Sequence, residues 1–366
     1  MSYSVYYEPS ASGRYLIYSA ARADLGYSLI DPKISQQINK SGTFRFSIFD
    51  SHPYYDIIQP FDGLIKVYDG TDRIYCGRVL SCQRNFYRQK AVVCESELAF
   101  FNDVTLRPGT YLGTLADYFK SLLHTYNASA TTARHFRFGS CDMPGNVEID
   151  RKNYTTVWRE LQSLITDHGG FFSTAVYSGS GRSEITEISY TVDPGPEDTQ
   201  KITFGKNLIN LTDFISAQNF YNVMIPTGAT VSGSVVTIES VNGGLDYITP
   251  TGGVGVYGNV EKRVSFPDID TPSALLTAAQ TKLDEDAQAA QTLTISAMDL
   301  HLLDANVAAF RLGKQYRIVS PPHGFMPGTN NLYPLTKIEL NLTRPDNSVY
   351  TFGTVKQTLT GGIYNA

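Results

Sequence analysis

Histidines are the side chains of this sequence best suited to acid–base or metal chemistry, and they show no catalytic spacing. The six are scattered along the chain, at His52, His124, His135, His168, His301 and His323. No H-E-x-x-H pattern is present, although a hydrolase can gather residues that are distant in sequence. His52 precedes Pro53, so we expect it to end a strand and turn the chain. A cell-wall endopeptidase that uses His52 and His168 is therefore a hypothesis with weak support.

The four cysteines do not form a metal-binding pattern. They are Cys76, Cys82, Cys94 and Cys141, without a C-x-x-C pair. A zinc site needs four soft or imidazole ligands at suitable spacing. Three of the cysteines lie in predicted strands with apolar neighbours, which favours buried free thiols.

Two other patterns match functional motifs only in part. Gly253–Gly258 reads G-V-G-V-Y-G, but a dinucleotide site needs a strand before this motif and a helix after it. Thr249-Pro250-Thr251 precedes it and no helix pattern follows, so we predict a loop. Ser180 lies in S-G-S-G-R, which lacks the G-x-S-x-G spacing and is typical of a hairpin tip.

Acidic residues cluster around one predicted helix. Asp268 and Asp270 flank its start, where negative charge interacts favourably with the helix dipole, and Asp284-Glu285-Asp286 lies on its exposed face. No D-x-D-x-D-G loop supports a calcium site. We therefore predict no catalytic, cofactor-binding or metal-binding residues, no cofactor and no enzymatic activity.

Aromatic residues are abundant, with 24 Tyr and 19 Phe. Pairs such as Tyr6-Tyr7 and Tyr54-Tyr55 could form a platform on which sugar rings stack. They could equally belong to the core and to contacts between subunits, which we favour because aromatic residues are enriched in strands and interfaces. The sequence leaves both readings open.

Length and charge restrict the classes of protein. A chain of 366 residues is expected to form two to four compact units. The net charge of −5 and the lack of a basic run argue against a surface that binds nucleic-acid phosphates. We also predict no signal peptide and no membrane-spanning segment, and hence a soluble chain made in the cytoplasm.

The periodicity of apolar residues divides the chain into three parts. Residues 3–103 follow a strand pattern, with Asp69-Gly70 as a hairpin signal, Arg73–Cys76 and Gly77–Phe86 as strand runs, and Tyr87-Arg88-Gln89 as a polar turn. Helical spacing then predicts helices over Leu112–Tyr126 and Thr155–His168, the second ended by Gly169-Gly170.

Strand patterns follow each of these helices and return towards the end of the chain. The predicted segments are Phe171–Tyr177, Glu184–Val192, Ile202–Ile225, Val235–Ser240, Leu293–Met298, Gln315–Val319, Leu335–Leu342 and Val349–Thr354. A third helix is predicted to begin at Pro272 and to reach residue 290. We predict a mainly β fold with an α+β insertion, divided into domains 1–108, 109–200 and 201–366.

The stretch from Ser41 to Asp103 resembles one family. The segments G-T-F-R-F-S-I-F-D-S-H-P-Y-Y-D-I-I, I-K-V-Y-D-G, G-R-V-L and C-E-S-E-L-A-F-F-N-D resemble the N-terminal region of phage tail proteins of the tail-associated lysin, or baseplate hub, family. The resemblance covers residues 25 to 105 well and the later parts more loosely. It implies two β-barrel-like domains that mimic the tail-tube subunit, with a small α+β domain between them.

The resemblance also implies a function and partners. Such a hub is a homotrimer at the virion tail tip of a siphophage, a prophage or a contractile tail. It caps the tail tube, contacts the distal tail protein, the tape-measure protein and receptor-binding proteins, and lets genomic DNA pass in transit during host cell entry. Many relatives carry a C-terminal peptidase or lysozyme domain, whereas this chain, ending at Ala366, resembles the short form without enzymatic activity. A receptor-binding or saccharide-binding baseplate protein is the main alternative.

Overall fold

The chain folds into two compact units. The computed structural model describes residues 3–11, 13–19, 22, 26–178, 184–216, 221–231, 233–249, 259–267, 269–286, 290–302, 304, 307–327 and 332–353. The larger unit is built mainly from Met1–Thr212 and Leu293–Gly361, and the smaller mainly from Asp213–Thr292. The predicted division into domains 1–108, 109–200 and 201–366 stays a prediction.

The N-terminal part is a series of antiparallel strands. They are β1 (Tyr3–Glu8), β2 (Tyr15–Ser19), β3 (Ile30–Gln37), β4 (Thr43–Phe49), β5 (Leu64–Asp69), β6 (Asp72–Arg84) and β7 (Gln89–Ser96). Phe44, Phe46 and Ile48 of β4 are buried and alternate with more exposed residues, as a strand with one covered face requires. The two runs on either side of Gly77 form the single strand β6, because Gly77 pairs with Ile65 of β5 and with Ser96 of β7.

The middle part contains both predicted helices. Its elements are β8 (Thr105–Leu106), β9 (Gly109–Thr114), α1 (Leu115–Ser129), β10 (Phe136–Cys141), β11 (Asn146–Arg151), β12 (Thr155–Thr156), α2 (Val157–His168), β13 (Phe171–Ser178) and β14 (Glu184–Thr191). The first helix begins three residues later than predicted, because Thr114 caps it by accepting the Asp117 amide. Leu112 instead lies in β9 and is 79% exposed. Gly169, with φ of 71°, ends α2 as predicted.

The remaining elements follow in the C-terminal part. They are β15 (Ile202–Thr203), β16 (Leu208–Ser216), β17 (Val223–Thr227), β18 (Thr230–Val231), β19 (Ser234–Val235), β20 (Glu261–Ser265), α3 (Pro272–Asp286), β21 (Ala290–Ala297), β22 (Gln315–Val319), β23 (Leu332–Asn341) and β24 (Val349–Gly353). The strand predicted over Val235–Ser240 is wrong beyond its first residue, because a 3-10 turn occupies Glu239–Val241. The third helix begins at Pro272 as predicted but ends at Asp286, since β21 starts at Ala290.

One sheet runs through both β parts of the chain. Its strands follow the order β16-β21-β24-β23-β3-β4-β7-β6-β5-β1-β2, with β15 and β22 joined at its side. The two parts meet where β23 pairs with β3, from Lys337 opposite Gln37 to Asn341 opposite Lys33. The prediction of a mainly β fold with an α+β insertion is confirmed. The described strands form an open sheet and do not close into a barrel.

Two cores stabilise the N-terminal and middle parts. The β core includes Val5, Ile65 and Val79, all fully buried. In the middle part, α1 and α2 cover the three-stranded sheet β10-β14-β13. A 3-10 helix over Glu97–Asp103 contributes Phe100 and Phe101 to this second core, which ties the end of the β series to the α+β part. Burial of one such aromatic side chain contributes about 1.5–3 kcal/mol.

The smaller unit has its own core. Strands β17 and β20 pair in parallel, from Val223 opposite Glu261 to Thr227 opposite Ser265. Leu275, Ala279 and Leu283 of α3 are fully buried and pack with apolar residues of this unit. These three residues recur every four positions and therefore share one face of α3.

Candidate interaction surfaces

His52 is a structural residue of the β core. Its Nε2 donates to the Ile17 carbonyl at 2.8 Å, and its Nδ1 accepts from the Tyr54 amide at 3.1 Å. These two bonds define a neutral tautomer, and burial lowers the pKa of the ring. Both ring nitrogens are thus engaged, which leaves neither of them for acid–base catalysis. His168 lies in the last turn of α2.

Ser320 and His323 form the closest serine–histidine pair among the described hydrogen bonds. Their Oγ and Nδ1 atoms lie 2.6 Å apart. Ser320 is fully buried and precedes the 3-10 helix that contains His323, whose ring contacts Phe204. A nucleophilic serine must reach its substrate, and this buried one instead stabilises a local turn.

The four cysteines are free thiols, of which Cys76 and Cys94 are buried as predicted, whereas Cys82 and Cys141 are only partly buried. Burial raises the pKa of Cys76 to about 12 and raises that of Cys94 well above its ordinary value. A thiol that stays protonated is a poor nucleophile and a poor metal ligand. In the described part of the chain, no group of three or more His, Cys, Asp or Glu side chains could hold a metal ion.

The four tyrosines singled out in the sequence do not share one exposed face. Tyr7 is fully buried and its hydroxyl donates to the Asp62 carbonyl, while Tyr6, on the opposite face of β1, contacts Tyr68. Tyr55 is buried and its ring lies 4.9 Å from the Lys90 ammonium. Tyr54 packs against Tyr15 and Tyr27. These contacts agree with the hypothesis of core and packing roles.

Several sequence motifs cannot be placed. Gly253–Gly258, Ser180 and Asp268 lie outside the described residues. Asp284, Glu285 and Asp286 form the last turn of α3, and their side chains lie outside the described part. No described helix is long and apolar enough to cross a membrane.

A buried ion-pair network joins the N-terminal sheet to the α+β part, and no sequence motif indicates it. Arg73 of β6, whose side chain is 4% exposed, forms ion pairs with Glu97 and Glu184, each at 3.5 Å. It also donates to the Thr186 hydroxyl at 2.6 Å. Burial raises the pKa of Glu97, and the Arg73 guanidinium opposes that shift. The network therefore fixes β14 against β6.

Asn39 makes a second connection between the same parts. It lies in the turn between β3 and β4 with φ of 58°, a left-handed conformation that asparagine tolerates better than most residues. Its side-chain amide donates to the Gly170 carbonyl at 3.0 Å and accepts from the Phe172 amide at 2.8 Å. Its own carbonyl accepts from Gln162 of α2.

A cleft of about 850 Å³ opens beside Asn39. Its walls come from the β3–β4 turn, the start of β6, strand β13, Asp193–Pro196 and Phe310–Lys314. Two of its charged residues are paired, Arg311 with Asp72 and Lys314 with Asp198. The cleft therefore has both polar and apolar side chains in its walls and lies within the larger unit. It is bordered by the edge of β13 that faces away from β14.

The loop between β6 and β7 presents an exposed aromatic pair. Phe86 is 92% exposed and Tyr87 is 78% exposed, with their rings edge to face at 5.4 Å. The Asn85 side chain accepts from the amides of Tyr87 and Gln89, both at 3.0 Å, which orders the loop. The sequence predicts a polar turn here, but the tip is aromatic. Exposed ordered aromatic residues are typical of protein contact surfaces.

The fold defined by these elements is that of phage tail proteins. The 43 kDa tail protein of prophage MuSo2 from Shewanella oneidensis has a similar structure, with a TM-score of 0.62 and 10% identity over 96% of this chain and 98% of that one. The tail protein of Neisseria meningitidis MC58 gives 0.59 and 12%, over 97% of each chain. Prophage tail protein gp18 of Listeria monocytogenes EGD-e gives 0.58 and 11%, over 97% of this chain and 95% of that one.

These similarities extend over nearly the whole chain but are structural. No protein-family model matches the sequence, and no curated protein matches it. At 10–12% identity the likeness establishes the fold alone. It confirms, at that level, the resemblance to phage tail hub proteins that the stretch from Ser41 to Asp103 indicates.

Proposed function

We propose that this chain is a structural component of a phage or prophage tail, and that three copies form a ring-shaped hub at the tip of the tail tube. The fold shared with prophage tail proteins supports the tail role. The resemblance in sequence supports the hub position and the number of copies. In this role the chain needs no active site, and its side chains serve to hold a rigid ring.

The open sheet is the observation that carries the proposal. Among the described strands it has one edge at β2 and the other at β16, so its two ends carry different strand edges. Different edges on one chain suit a heterologous, head-to-tail contact, and such contacts close into rings when the rotation allows it. Unpaired edges are also surfaces that natural proteins cover or pair. A ring of three copies would bring the β2 edge of one copy towards the β16 edge of the next.

The partners follow from the same position. A hub at the tube end would contact the distal tail protein and the tape-measure protein, with receptor-binding proteins further out. The aromatic pair Phe86 and Tyr87 is suited to one of these contacts. Genomic DNA would pass through the ring in transit, and a net charge of −5 is compatible with a passage to which DNA does not adhere.

Mass photometry of edge variants tests the ring. Ile209 of β16 is 55% exposed, and a lysine at a strand edge opposes pairing with another strand. Ile209→Lys should shift the purified chain from trimer towards monomer, with trimer dissociation raised at least about tenfold, or about 1.4 kcal/mol. Leu112→Lys is the matched control, because Leu112 is exposed on the separate ribbon of β9 and β11. Equal trimer fractions in both variants would contradict edge pairing at β16.

Two other functions stay hypotheses. A saccharide-binding baseplate protein would show glycan-array binding by the isolated chain. A cell-wall endopeptidase would release muropeptides from peptidoglycan in an assay that His168 variants abolish; His52, with both ring nitrogens bonded, is not a candidate for its acid–base chemistry.

A further inference from the structure

Strand β13 is an edge strand, and the Asn39 side chain already bonds to the backbone at the start of its outer edge. In the three-stranded sheet β10-β14-β13 it has a neighbour on one side only among the described strands. On the other side, the Asn39 amide accepts from the Phe172 N–H and donates to the Gly170 carbonyl. A peptide group of an added strand bonds an edge in the same way. The Asn39 side chain therefore makes the hydrogen bonds that the first residue of an added strand would make.

The bonds of Asn39 fix which backbone groups of β13 point outwards. The pairing of β13 with β14 runs without a shift in register from Phe171 to Ser178. Because the Phe172 amide points away from β14, the amides of Thr174 and Val176 do so as well, by the alternation of an antiparallel ladder. No hydrogen bond of these two outward amides occurs within the described residues. The backbone N–H groups of Thr174 and Val176, which lie beyond Asn39 along the strand, are thus available to an added strand.

These two N–H groups border the cleft of about 850 Å³, because both Thr174 and Val176 lie in its wall. Thr71–Cys76 and Phe310–Lys314 form other walls of this cleft. These walls would oppose a symmetric pairing with β13 of a second copy, which carries the same walls beside its own strand. A single extended segment has no such walls, and five residues of strand span only about 17 Å.

We propose that β13 is a docking site for an extended segment of another protein, which adds as a strand beside Asn39. Main-chain hydrogen bonds to Thr174 and Val176 would supply affinity. The cleft would bind every second side chain of the added segment and so provide specificity. Ile74 and the 38% exposed Val176 on the cleft wall favour apolar side chains. Lys40 is exposed at the cleft and has no ion pair among the described residues, which favours an acidic residue in the segment. This docking site is formed by β13 and the cleft of one chain, and it does not require the trimer.

Hydrogen exchange resolved to single amides tests this site in the full chain. The probe is the acetylated and amidated peptide Thr-Val-Thr-Val-Glu at about 1 mM, a concentration at which a complex of about 4 kcal/mol is half formed. In the free chain the amides of Thr174 and Val176 should exchange fast, while those of Ser173 and Ala175, which bond to β14, exchange slowly. The peptide should slow the two fast amides to about half their free rates.

The control peptide has the same side chains with every backbone amide N-methylated, and it should leave all four amides unchanged. Thr174→Pro removes one outward N–H without a loss from the β14 ladder, so it should weaken peptide binding about tenfold. Equal effects of both peptides, or no slowing by the first, would overturn the proposal. Slow exchange of Thr174 and Val176 in the free chain would overturn it as well, because the edge would then be occupied already.

Discussion

Asn39 and Phe172 are 133 positions apart in sequence, and a hydrogen bond of 2.8 Å joins the side chain of one to the backbone of the other. The bond brings the turn of a β hairpin against the first strand after helix α2. Asn39 is 9% exposed, so its amide bonds lie away from water. A buried polar group that loses its partner destabilises a fold by more than the bond itself contributes.

Two variants of Asn39 should separate hydrogen bonding from backbone conformation. Asn39→Gly keeps the left-handed conformation without strain but leaves the Phe172 amide and the Gly170 carbonyl without partners, so unfolding free energy should fall by about 1–3 kcal/mol. Asn39→Ala should lose about 1–2 kcal/mol more, because φ of 58° is strained for alanine. Urea unfolding measures both, and a glycine variant as stable as the parent chain would show that these bonds contribute nothing.

The Arg73 network should depend on charge compensation. Arg73→Met leaves Glu97 as a buried charge without its ion-pair partner, which should lower unfolding free energy by about 3–5 kcal/mol. Adding Glu97→Gln should recover part of the loss, since the uncompensated charge is removed. The matched control is Arg84→Met, because the Arg84–Asp56 pair is exposed and should contribute no more than about 1 kcal/mol. Similar losses in Arg73→Met and Arg84→Met would refute the role of burial.

The motif G-R-V-L begins with Gly77, and the close approach of a neighbouring strand explains why this residue is glycine. A Cβ atom at this position would lie 2.2 Å from the Glu95 carbonyl oxygen of the neighbouring strand. Gly77→Ala should therefore separate β6 from β7 and destabilise the chain by about 1–3 kcal/mol. At Gly109 a Cβ would meet no atom within 4 Å, so Gly109→Ala should be neutral or slightly stabilising. Thermal unfolding of the two variants compares them, and equal midpoints would contradict the close approach.

His52 should make stability depend on pH. Its folded pKa lies below the ordinary value of 6.5, so the unfolded chain binds the proton more readily. The contribution of the neutral ring is therefore complete above pH 6.5 and decreases as pH falls towards the lowered folded pKa. His52→Gln lacks this titration, so its unfolding midpoint should change less between pH 7.5 and pH 5 than that of the parent chain. Identical pH profiles would show that His52 does not titrate in this window.

Local patterns predicted the elements that depend on local chemistry. Alternating apolar residues marked β4, and Gly169 marked the end of α2, because burial on one face and a left-handed cap leave direct traces in neighbouring residues. The start of α1 was misplaced since Leu112 continues the helical spacing by chance while it lies exposed on β9. The 3-10 helix with Phe100 and Phe101 was missed because its apolar run also suits a strand.

Features that join distant parts of the chain could not be predicted in this way. The pairing of β23 with β3 connects residues about 300 positions apart, and no periodicity records such a partner. The same applies to Asn39, where only the preference of asparagine for turns was visible. Arg73 and Asn39 lie in ordinary strand and turn segments, and their roles follow from which elements the fold brings against them.

We propose above that three copies of this chain form a ring at the end of a tail tube. Cryo-EM image classes of the purified full chain would show such a ring. We expect particles with threefold symmetry and a central hole, in which the edge strand β2 of one copy lies next to β16 of its neighbour. Single two-unit particles at high protein concentration, without threefold classes, would contradict it.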